Sequence, residues 1–279
     1  MSIVGDYVEI DDTLSNLGWH VPTIKKLEGN PVWCIGLMPT KGLESITWEV
    51  ADKIAKKLKH INDQGITVWL RFGHEMNGEW YCWGMKPELF KEKWNLLGER
   101  VKATTSMTYM LWSPNAIFGD SIDSLKGGYT KYWPGSKYVD IAGLSFYHWG
   151  KSYHRLNIAP DQDEVVGKIH EFNKLYGDGG EGKPIVIAET AASYTYNQWT
   201  KAPVEGGASE LDIKMKWAHL LLDRYIKKVV PNLRAMIWFE IIKDENATGD
   251  TPVRTEDFRL IVGNRQVSSA AAEFFKNSV

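Results

Sequence analysis

The chain has 279 residues, of which 33 are Lys or Arg and 35 are Asp or Glu, so its formal net charge is −2. This balance argues against a nucleic-acid partner, whose phosphates require a basic surface, and no apolar run approaches the roughly 18 residues of a membrane-spanning helix. Tryptophan is abundant, with 13 residues, which indicates either a core rich in aromatic rings or a surface that stacks on sugar rings.

Short apolar segments rich in Val, Ile and aromatic residues predict seven strands. In chain order these are Ile3–Ile10, Val32–Met38, Ile66–Phe72, Met107–Trp112, Val139–Phe146, Ile185–Glu189 and Ala235–Glu240. Apolar residues at helical spacing predict helices between and after them. These cover Trp48–Ile61, Pro87–Val101, Asp161–Tyr176, Ser209–Lys228 and about Ser268–Lys276.

The alternation of strands and helices indicates the fold class. Strands that are apolar throughout are typical of a parallel sheet covered on both faces by helices. Seven such strands in a chain of this length favour an α/β fold of the (β/α)₈ TIM-barrel type over an open sheet. No internal repeat or linker divides the sequence, so one catalytic domain is predicted over residues 1–279.

Two of the predicted strands end in a carboxylate. Glu75 follows the strand at Ile66–Phe72 in the segment His74-Glu-Met-Asn-Gly-Glu-Trp-Tyr-Cys-Trp-Gly84, and Glu189 ends the strand after Lys183-Pro184. Cleavage of a glycosidic bond requires such a pair, one residue to protonate the leaving oxygen and one to attack the anomeric carbon. A single Glu of this kind is more often a helix-start or salt-bridge residue, but the pair with its aromatic neighbours favours catalysis.

The segment His74–Gly84, preceded by Arg71, resembles the acid/base signature of glycoside hydrolase family 26. Further matches follow in order, and the resemblance covers about residues 31–245. They are Leu111–Asn115, Tyr132–Gly135, Tyr138–Asp140, Gly143, Phe146–Tyr147, Lys183–Glu189 and Ile237–Phe239. That family contains retaining β-mannanases, mixed-linkage β-glucanases and β-1,3-xylanases built on barrels.

The resemblance implies that Glu75 is the acid/base at the end of the fourth barrel strand, and that Glu189 is the nucleophile at the end of the seventh. We expect Arg71 and Tyr147 to hold Glu189 in its ionised form, and the rings of Trp80 and Trp83 to raise the pKa of Glu75 by desolvation. The remaining substrate-binding candidates are His74, Asn77, Trp83, Trp112, Trp149, Trp238 and Glu240.

Several roles have open alternatives. His74 could instead be a packed core histidine, and each single Trp could belong to the core rather than to a wall or floor of the binding site. Glu240 shares a strand face with Trp238, where the family often has a smaller amide-type residue, so it could bind a sugar hydroxyl, bind an outer cation or form a structural ion pair.

The strand count conflicts with the implied barrel position of Glu75. Only two predicted strands precede Ile66–Phe72, whereas a fourth-strand position requires three. We therefore expect the chain to lack or replace the first barrel strand, which makes Ile3–Ile10 the second.

The predicted function is a retaining endo-β-glycosidase acting on a cell-wall polysaccharide, with β-mannan as the first substrate and mixed-linkage or β-1,3-glucan as the alternative. A catalytically inactive carbohydrate-binding barrel is the alternative from another class, and a transglycosylase would use the same residues.

No cofactor or metal is expected, because the seven His and two Cys show no ligand spacing. The expected partner is a polysaccharide or oligosaccharide substrate, with no nucleic acid or membrane, and the chain is expected to act as a monomer. The sequence starts without a signal peptide, so we expect an extracellular enzyme whose leader is absent here, with an intracellular location as the alternative.

Overall fold

The computed structural model describes residues 2–11, 13–150, 156–204, 206–222, 224–247 and 252–277. The chain divides into two compact units, which are described in turn. The first comprises Met1–Ser145 and Tyr176–Ala188, and the second comprises Phe146–Leu175 and Glu189–Val279. The single domain expected over residues 1–279 stays a prediction.

Parallel strands form the centre of the first unit. They are β1 (Ile3–Glu9), β2 (Val32–Met38), β3 (Val68–Phe72), β4 (Thr108–Trp112), β5 (Ile141–His148) and β6 (Ile185–Ala192), of which the last two continue into the second unit. Each strand from β1 to β4 pairs in parallel with the next one along the chain. The β2 strand is buried along almost its whole length, as expected for a sheet covered on both faces.

Helices α1 (Val21–Ile24), α2 (Trp48–Asn62) and α3 (Pro87–Thr104) connect these strands. The α2 helix begins after Thr47, whose side chain accepts a hydrogen bond from the backbone N–H of Val50 at 3.3 Å and so caps one free donor. The α3 helix begins at Pro87, where the missing N–H costs nothing. Both helices bury an apolar stripe, and this amphipathic pattern is what made them predictable.

The second unit contains the ends of β5 and β6, most of α4 (Gln162–Tyr176), and two sets of later strands. The β8 strand (Leu233–Trp238) takes the position after β6 in the order β1-β2-β3-β4-β5-β6-β8. A separate antiparallel sheet has the order β7-β10-β9, made of β7 (Tyr194–Asn197), β9 (Ile242–Glu245) and β10 (Arg254–Asp257). Helices α5 (Glu210–Leu222), α6 (Arg224–Val229) and α7 (Arg265–Asn277) complete the unit.

The β10 strand is polar in sequence and yet buried at all four positions. Burial is possible because its charges are paired: the ammonium of Lys214 lies 3.2 Å from Asp257, and Arg254 forms an ion pair with Glu256. Burial alone would raise the pKa of Asp257, but hydrogen bonds from Arg259 and the charge of Lys214 hold it below its usual value.

The structure confirms all seven predicted strands, with ends that differ by at most a few residues. The helix expected over Ser209–Lys228 corresponds to α5 and α6, and residue 223 lies outside the described residues. The β7-β10-β9 sheet was not predicted, because its strands have four residues each and β10 carries three charged side chains. Such segments lack the apolar pattern that predicts a strand.

The strand position of Glu75 agrees with the count made from sequence. Among the described residues the parallel order starts at β1, and Glu75 follows β3, the third strand. The strand that a complete eight-stranded barrel would place before β1 is not among the described residues.

Candidate active site

The loop after β3 holds Glu75 in an unusual backbone conformation. Gly73 and Glu75 both have positive φ angles, of 53° and 55°, and the second is unfavourable for a residue with a side chain. Hydrogen bonds fix this turn: the N–H of Glu75 donates to the carbonyl of Ser113 at 2.9 Å, and its carbonyl accepts from the N–H of Gly78 at 2.9 Å. A strained residue that its surroundings hold in place is typical of a functional site.

Two donors contact the Glu75 carboxylate, which is only 6% exposed. The indole N–H of Trp80 donates to one oxygen at 2.7 Å, and the side-chain amide of Asn115 donates to the other at 3.3 Å. Hydrogen bonds to a carboxylate favour its ionised form, so Trp80 acts in the opposite direction to the desolvation that the sequence analysis expected from it. The structure thus gives Trp80 a polar contact that its aromatic character did not indicate.

Asn77 joins this loop to the segment after β4. Its side-chain oxygen accepts the N–H of Asn115 and its side-chain nitrogen donates to the carbonyl of Asn115, both at 2.9 Å. The carbonyl of Asn77 also accepts the N–H of Gly127 at 2.8 Å. Because Asn77 is fully buried, it positions Asn115, which in turn contacts Glu75.

His74 is buried among aromatic rings. Its Nε2 atom lies 3.4 Å from the Tyr81 hydroxyl, and its ring centre lies 5.7 Å from that of Trp83 and 5.5 Å from that of Tyr7. Trp83 is only 2% exposed, stacks on Tyr81 at 4.2 Å, and donates its N–H to the carbonyl of His74 at 2.8 Å. Trp83 therefore supports His74 from within the protein and offers little surface to a sugar.

Arg71 is 1% exposed and lies on β3. Its Nε donates to the Ser113 hydroxyl at 3.0 Å, and its Nη2 donates to the Ser145 hydroxyl. Within the first unit, these contacts connect β3 to Ser113, which follows β4, and to Ser145, which lies within β5. The expected contact of Arg71 with Glu189 stays a prediction.

In the second unit, the Tyr147 hydroxyl donates a hydrogen bond to the carboxylate of Glu189, as the sequence analysis predicted. Glu189 lies on β6 and is 7% exposed. The next residue, Thr190, donates its hydroxyl to the carbonyl of Phe146 at 2.6 Å and accepts the indole N–H of Trp217 at 2.9 Å. The Thr190 hydroxyl therefore links the strand that carries Glu189 to Phe146 and to Trp217.

Aromatic rings surround Tyr147 in this unit. The rings of Trp149, Phe239 and Phe258 each have their centre 5.7 Å from that of Tyr147. Trp149 is 39% exposed, so it remains a candidate wall for the sugar site. The neighbouring His148 is buried, and desolvation lowers its pKa, which keeps the imidazole neutral.

Trp238 is partly buried at the end of β8. Its indole N–H donates to the carbonyl of Phe258 at 2.7 Å, and its ring packs against a cluster that contains Met215 and Leu260. These contacts fix the orientation of the ring. Its expected role as the floor of the reacting-sugar site stays a prediction.

Trp112 was a candidate wall of the binding site, but the structure places it in the core. It is 0% exposed, its N–H donates to the carbonyl of Tyr132 at 3.1 Å, and its ring meets those of Trp133 and Tyr176. A side chain enclosed in this way has no face for a ligand. The prediction of a sugar contact is therefore not supported, and the alternative of a core residue is favoured.

The carboxylate of Glu240 binds the protein's own backbone. It accepts the N–H groups of Leu260, Ile261 and Val262 at 2.7–2.9 Å. Of the alternatives considered for this residue, a structural role agrees best with these contacts, although the partner is a loop rather than a cation. Binding of a sugar hydroxyl stays a prediction.

Several residues that shape the site were not predicted from the sequence. The hydroxyls of Ser113 and Ser145 accept hydrogen bonds from Arg71, and the Tyr81 hydroxyl lies against the ring of His74. Asn115 appeared only as the end of a matching motif. Their signal was weak because Ser and Asn contacts depend on which strand ends are neighbours, and a sequence does not show this directly.

The model of glycosyl hydrolase family 26 matches residues 38–210, which is more than half of the chain. The chain belongs to this family.

Among the curated relatives is a mannan endo-1,4-beta-mannosidase of Bacillus subtilis, 36% identical over 104 residues. The match covers 34% of this chain and 27% of that protein. Mannan endo-1,4-beta-mannosidase A and B of Caldalkalibacillus mannanilyticus is 28% identical over 193 residues, covering 60% of this chain and 33% of the relative. The matched segments therefore amount to about a third of the length of these relatives.

Solved structures show the same fold. A modular endo-beta-1,4-mannanase from Cellulomonas fimi has a TM-score of 0.61 and 18% identity, over 92% of this chain and 57% of that one. The Bacillus subtilis mannanase BCman has a TM-score of 0.51 and 19% identity, over 86% of this chain and 71% of that one. The likeness confirms the predicted α/β TIM-barrel fold class of the family 26 member.

No helix in the described part of the chain is long and apolar enough to cross a membrane. Within the same residues, no cluster of three or more His, Cys, Asp or Glu side chains could hold a metal ion.

Proposed function

We propose that this family 26 chain is a retaining endo-β-glycosidase that hydrolyses β-mannan. The observation that carries the proposal is the Glu75 carboxylate, held by Trp80 and Asn115 in the part of the chain that matches the family. The names of the curated relatives, several of which are mannan endo-1,4-beta-mannosidases, support mannan as the substrate.

In the proposed first step, the carboxylate of Glu189 attacks the anomeric carbon while Glu75 gives its proton to the glycosidic oxygen, which leaves with the bonding electron pair. This produces a covalent glycosyl ester on Glu189. In the second step, the ionised Glu75 takes a proton from water, whose oxygen attacks the anomeric carbon and releases Glu189. Two inversions at that carbon give net retention.

The contact of Glu189 supports its assignment as the nucleophile. The Tyr147 hydroxyl directs a hydrogen bond to Glu189, which favours the ionised carboxylate that a nucleophile requires. His74, which precedes Glu75 in the chain, is buried.

A β-glucan is the alternative substrate, and one relative favours it. Endoglucanase H of Acetivibrio thermocellus is 24% identical over 156 residues, which cover 50% of this chain and 15% of that protein. A panel of mannan, glucomannan, barley β-glucan, laminarin and xylan, assayed for new reducing ends, distinguishes the substrates. Higher activity on barley β-glucan than on mannan would contradict the mannanase proposal but not the mechanism.

Azide rescue tests the two catalytic roles. In Glu189→Ala, azide should replace the nucleophile and give the α-glycosyl azide, whereas in Glu75→Ala it should attack the glycosyl ester and give the β-glycosyl azide. Glu79→Ala is a matched control, since Glu79 lies on the same loop in an exposed ion pair with Lys126, and it should keep nearly full activity. A Glu189→Ala variant with normal mannan hydrolysis would overturn the assignment. A wild type that binds mannan but does not hydrolyse it would favour a binding protein.

We further propose that the enzyme is secreted and monomeric. A polysaccharide cannot enter the cell intact, so hydrolysis of mannan requires an enzyme outside it. Activity in the culture medium of the source cells and an elution volume that corresponds to a mass of 31.7 kDa are the expected results. Activity confined to the cell lysate, or a dimer in solution, would contradict these proposals.

A further inference from the structure

Phe258 packs into the aromatic cluster of the second unit. It directly follows β10 and its side chain is fully buried. Its ring centre lies 5.7 Å from that of Tyr147, 5.6 Å from that of Phe239 and 5.2 Å from that of Trp149. Phe258 therefore contacts the tyrosine whose hydroxyl donates to Glu189.

Both backbone polar groups of Phe258 are hydrogen-bonded. Its N–H donates to the carbonyl of Ile241 at 2.9 Å, and its carbonyl accepts the indole N–H of Trp238 at 2.7 Å. Buried backbone groups keep such partners because leaving them unpaired is costly. The main chain at Phe258 is thus connected to the end of β8 and to the segment that follows it.

A buried lysine holds the residues on either side of Phe258. The ammonium of Lys214 lies 3.2 Å from the Asp257 carboxylate and donates to the carbonyl of Arg259 at 2.7 Å. The Asp257 carboxylate also accepts the N–H of Arg259 at 2.9 Å and its guanidinium at 2.7 Å. Buried charges are tolerated only where they are paired, so this network favours a single arrangement of the segment that carries Phe258.

Phe258 lies beyond the part of the chain that the family model matches. The match covers residues 38–210, which include Tyr147 and Glu189. Lys214 and Phe258 both come later in the chain. The packing around the Tyr147 ring therefore comes in part from a segment to which the family likeness assigns no role.

The effect of the Tyr147 hydroxyl depends on its direction. It favours the ionised form of Glu189 only while its O–H points at the carboxylate. The hydroxyl is at the far end of the ring, so a small tilt of the ring displaces it more than any other atom of the side chain. The ring of Phe258 meets that of Tyr147 at 67°, an edge-to-face contact that opposes such a tilt.

We propose that Phe258 is a positioning residue: its ring fixes the Tyr147 hydroxyl, and this hydroxyl keeps the Glu189 nucleophile ionised. The inference rests on the proposed function, in which Glu189 attacks the anomeric carbon. Phe258 acts through Tyr147 and not on the substrate, because its own side chain is fully buried. Loss of the ring should therefore change the ionisation of Glu189 as well as the stability of the fold.

The test measures the acidic limb of kcat/KM on mannan, which reports the ionisation of the nucleophile in the free enzyme. In Phe258→Ala the Tyr147 ring has room to tilt and its hydrogen bond to Glu189 weakens, so the limb should move to higher pH by about 0.5–1 unit. Phe258→Leu keeps most of the volume and should cause a smaller movement in the same direction. Phe172→Ala is the matched control, because Phe172 is a fully buried phenylalanine on α4 of the same unit, and it should lose stability without moving the limb.

A double variant shows whether Phe258 acts through Tyr147. Tyr147→Phe removes the hydroxyl and should itself move the limb to higher pH. Adding Phe258→Ala should cause no further movement, since the donor is already absent. Equal movements in the two backgrounds would overturn the inference, and so would an unmoved limb in folded Phe258→Ala. A movement to lower pH would also overturn it, because it would indicate that the ammonium of Lys243, 5.8 Å from the Phe258 ring centre, approaches Glu189 instead.

Titration of the Glu189 carboxyl by NMR provides a readout that does not depend on turnover. Glutamate labelled with carbon-13 at its side-chain carboxyl gives the signal, and Glu189→Gln assigns it. The midpoint should move to higher pH in Phe258→Ala, or by less in Phe258→Leu if the alanine variant does not fold. An unmoved midpoint in the folded variant would overturn the role of Phe258 alone, whereas a wild type inactive on every polysaccharide of the panel would contradict the proposed function.

Discussion

Replacing Asn77 with Ala tests whether the hydrogen bonds between the loops after β3 and β4 position Glu75. The change removes two hydrogen bonds of 2.9 Å and leaves the N–H and carbonyl of Asn115 without these partners in a buried position. At about 1 kcal/mol for each bond and a further cost for each unsatisfied group, unfolding should become easier by about 2–4 kcal/mol. For a chain of this size, the thermal midpoint should fall by about 3–7 °C.

The catalytic effect should exceed what the loss of stability explains. Asn115 donates to the Glu75 carboxylate, so its displacement should lower kcat on mannan about tenfold at 25 °C, where the variant is still folded. Circular dichroism gives the thermal midpoint, and reducing-end release gives kcat. A rise in KM alone would indicate that the loop serves binding rather than the acid/base.

Asn62→Ala is the matched control. Asn62 is also a buried asparagine of the first unit, and it donates to the carbonyl of Ile66 at 2.9 Å and accepts from the Thr108 hydroxyl at 3.0 Å. We expect a similar loss of stability with nearly normal kcat, because neither partner contacts Glu75. If both variants lose the same fraction of activity, the reasoning about Asn77 is refuted.

Three further predictions concern single side chains. Trp80→Phe keeps a ring but removes the donor to Glu75, so the alkaline limb of the kcat/KM profile should move to higher pH, and an unmoved limb would contradict the contact. Burial lowers the pKa of His148, so the wild type should lose stability as pH falls below about 6.5, where only the unfolded chain gains this proton. Between pH 7.5 and 5.5, the free energy of unfolding in urea should fall less for His148→Gln than for the wild type. Equal falls would contradict this prediction. Glu240→Ala removes the acceptor of three N–H groups and should lower the urea midpoint while KM for mannan stays unchanged; a raised KM would instead assign Glu240 to sugar binding.

The parallel strands could be predicted because burial on both faces leaves a clear signal. The β2 strand consists of Val32–Met38 in both sequence analysis and structure, since every residue from Val32 to Leu37 is buried and nearly all are apolar. The β7-β10-β9 sheet could not be predicted. The charges of β10 are compensated by partners such as Lys214, which lies 43 residues away from Asp257 in the chain. A local pattern contains no information about such compensation.

The candidate site was predictable to the extent that its residues follow strands directly. In the structure Glu75 comes three residues after the end of β3 and Glu189 lies within β6, and the family motif placed both without reference to neighbours. The burial of each tryptophan was harder to predict, because Trp112 ends β4 and Trp149 directly follows β5, and yet they are 0% and 39% exposed. The difference arises from which rings cover them, as Trp133 and Tyr176 do for Trp112, and this depends on tertiary packing.

The backbone of Glu75 has a consequence for how this position can change. A φ of 55° costs a residue with a side chain roughly 1 kcal/mol, a cost that glycine avoids and asparagine reduces. Selection for folding stability alone would therefore favour replacing the one residue to which the proposed acid/base chemistry is assigned. A stabilising screen without an activity assay would be expected to recover such replacements, so stability and function oppose each other at this position.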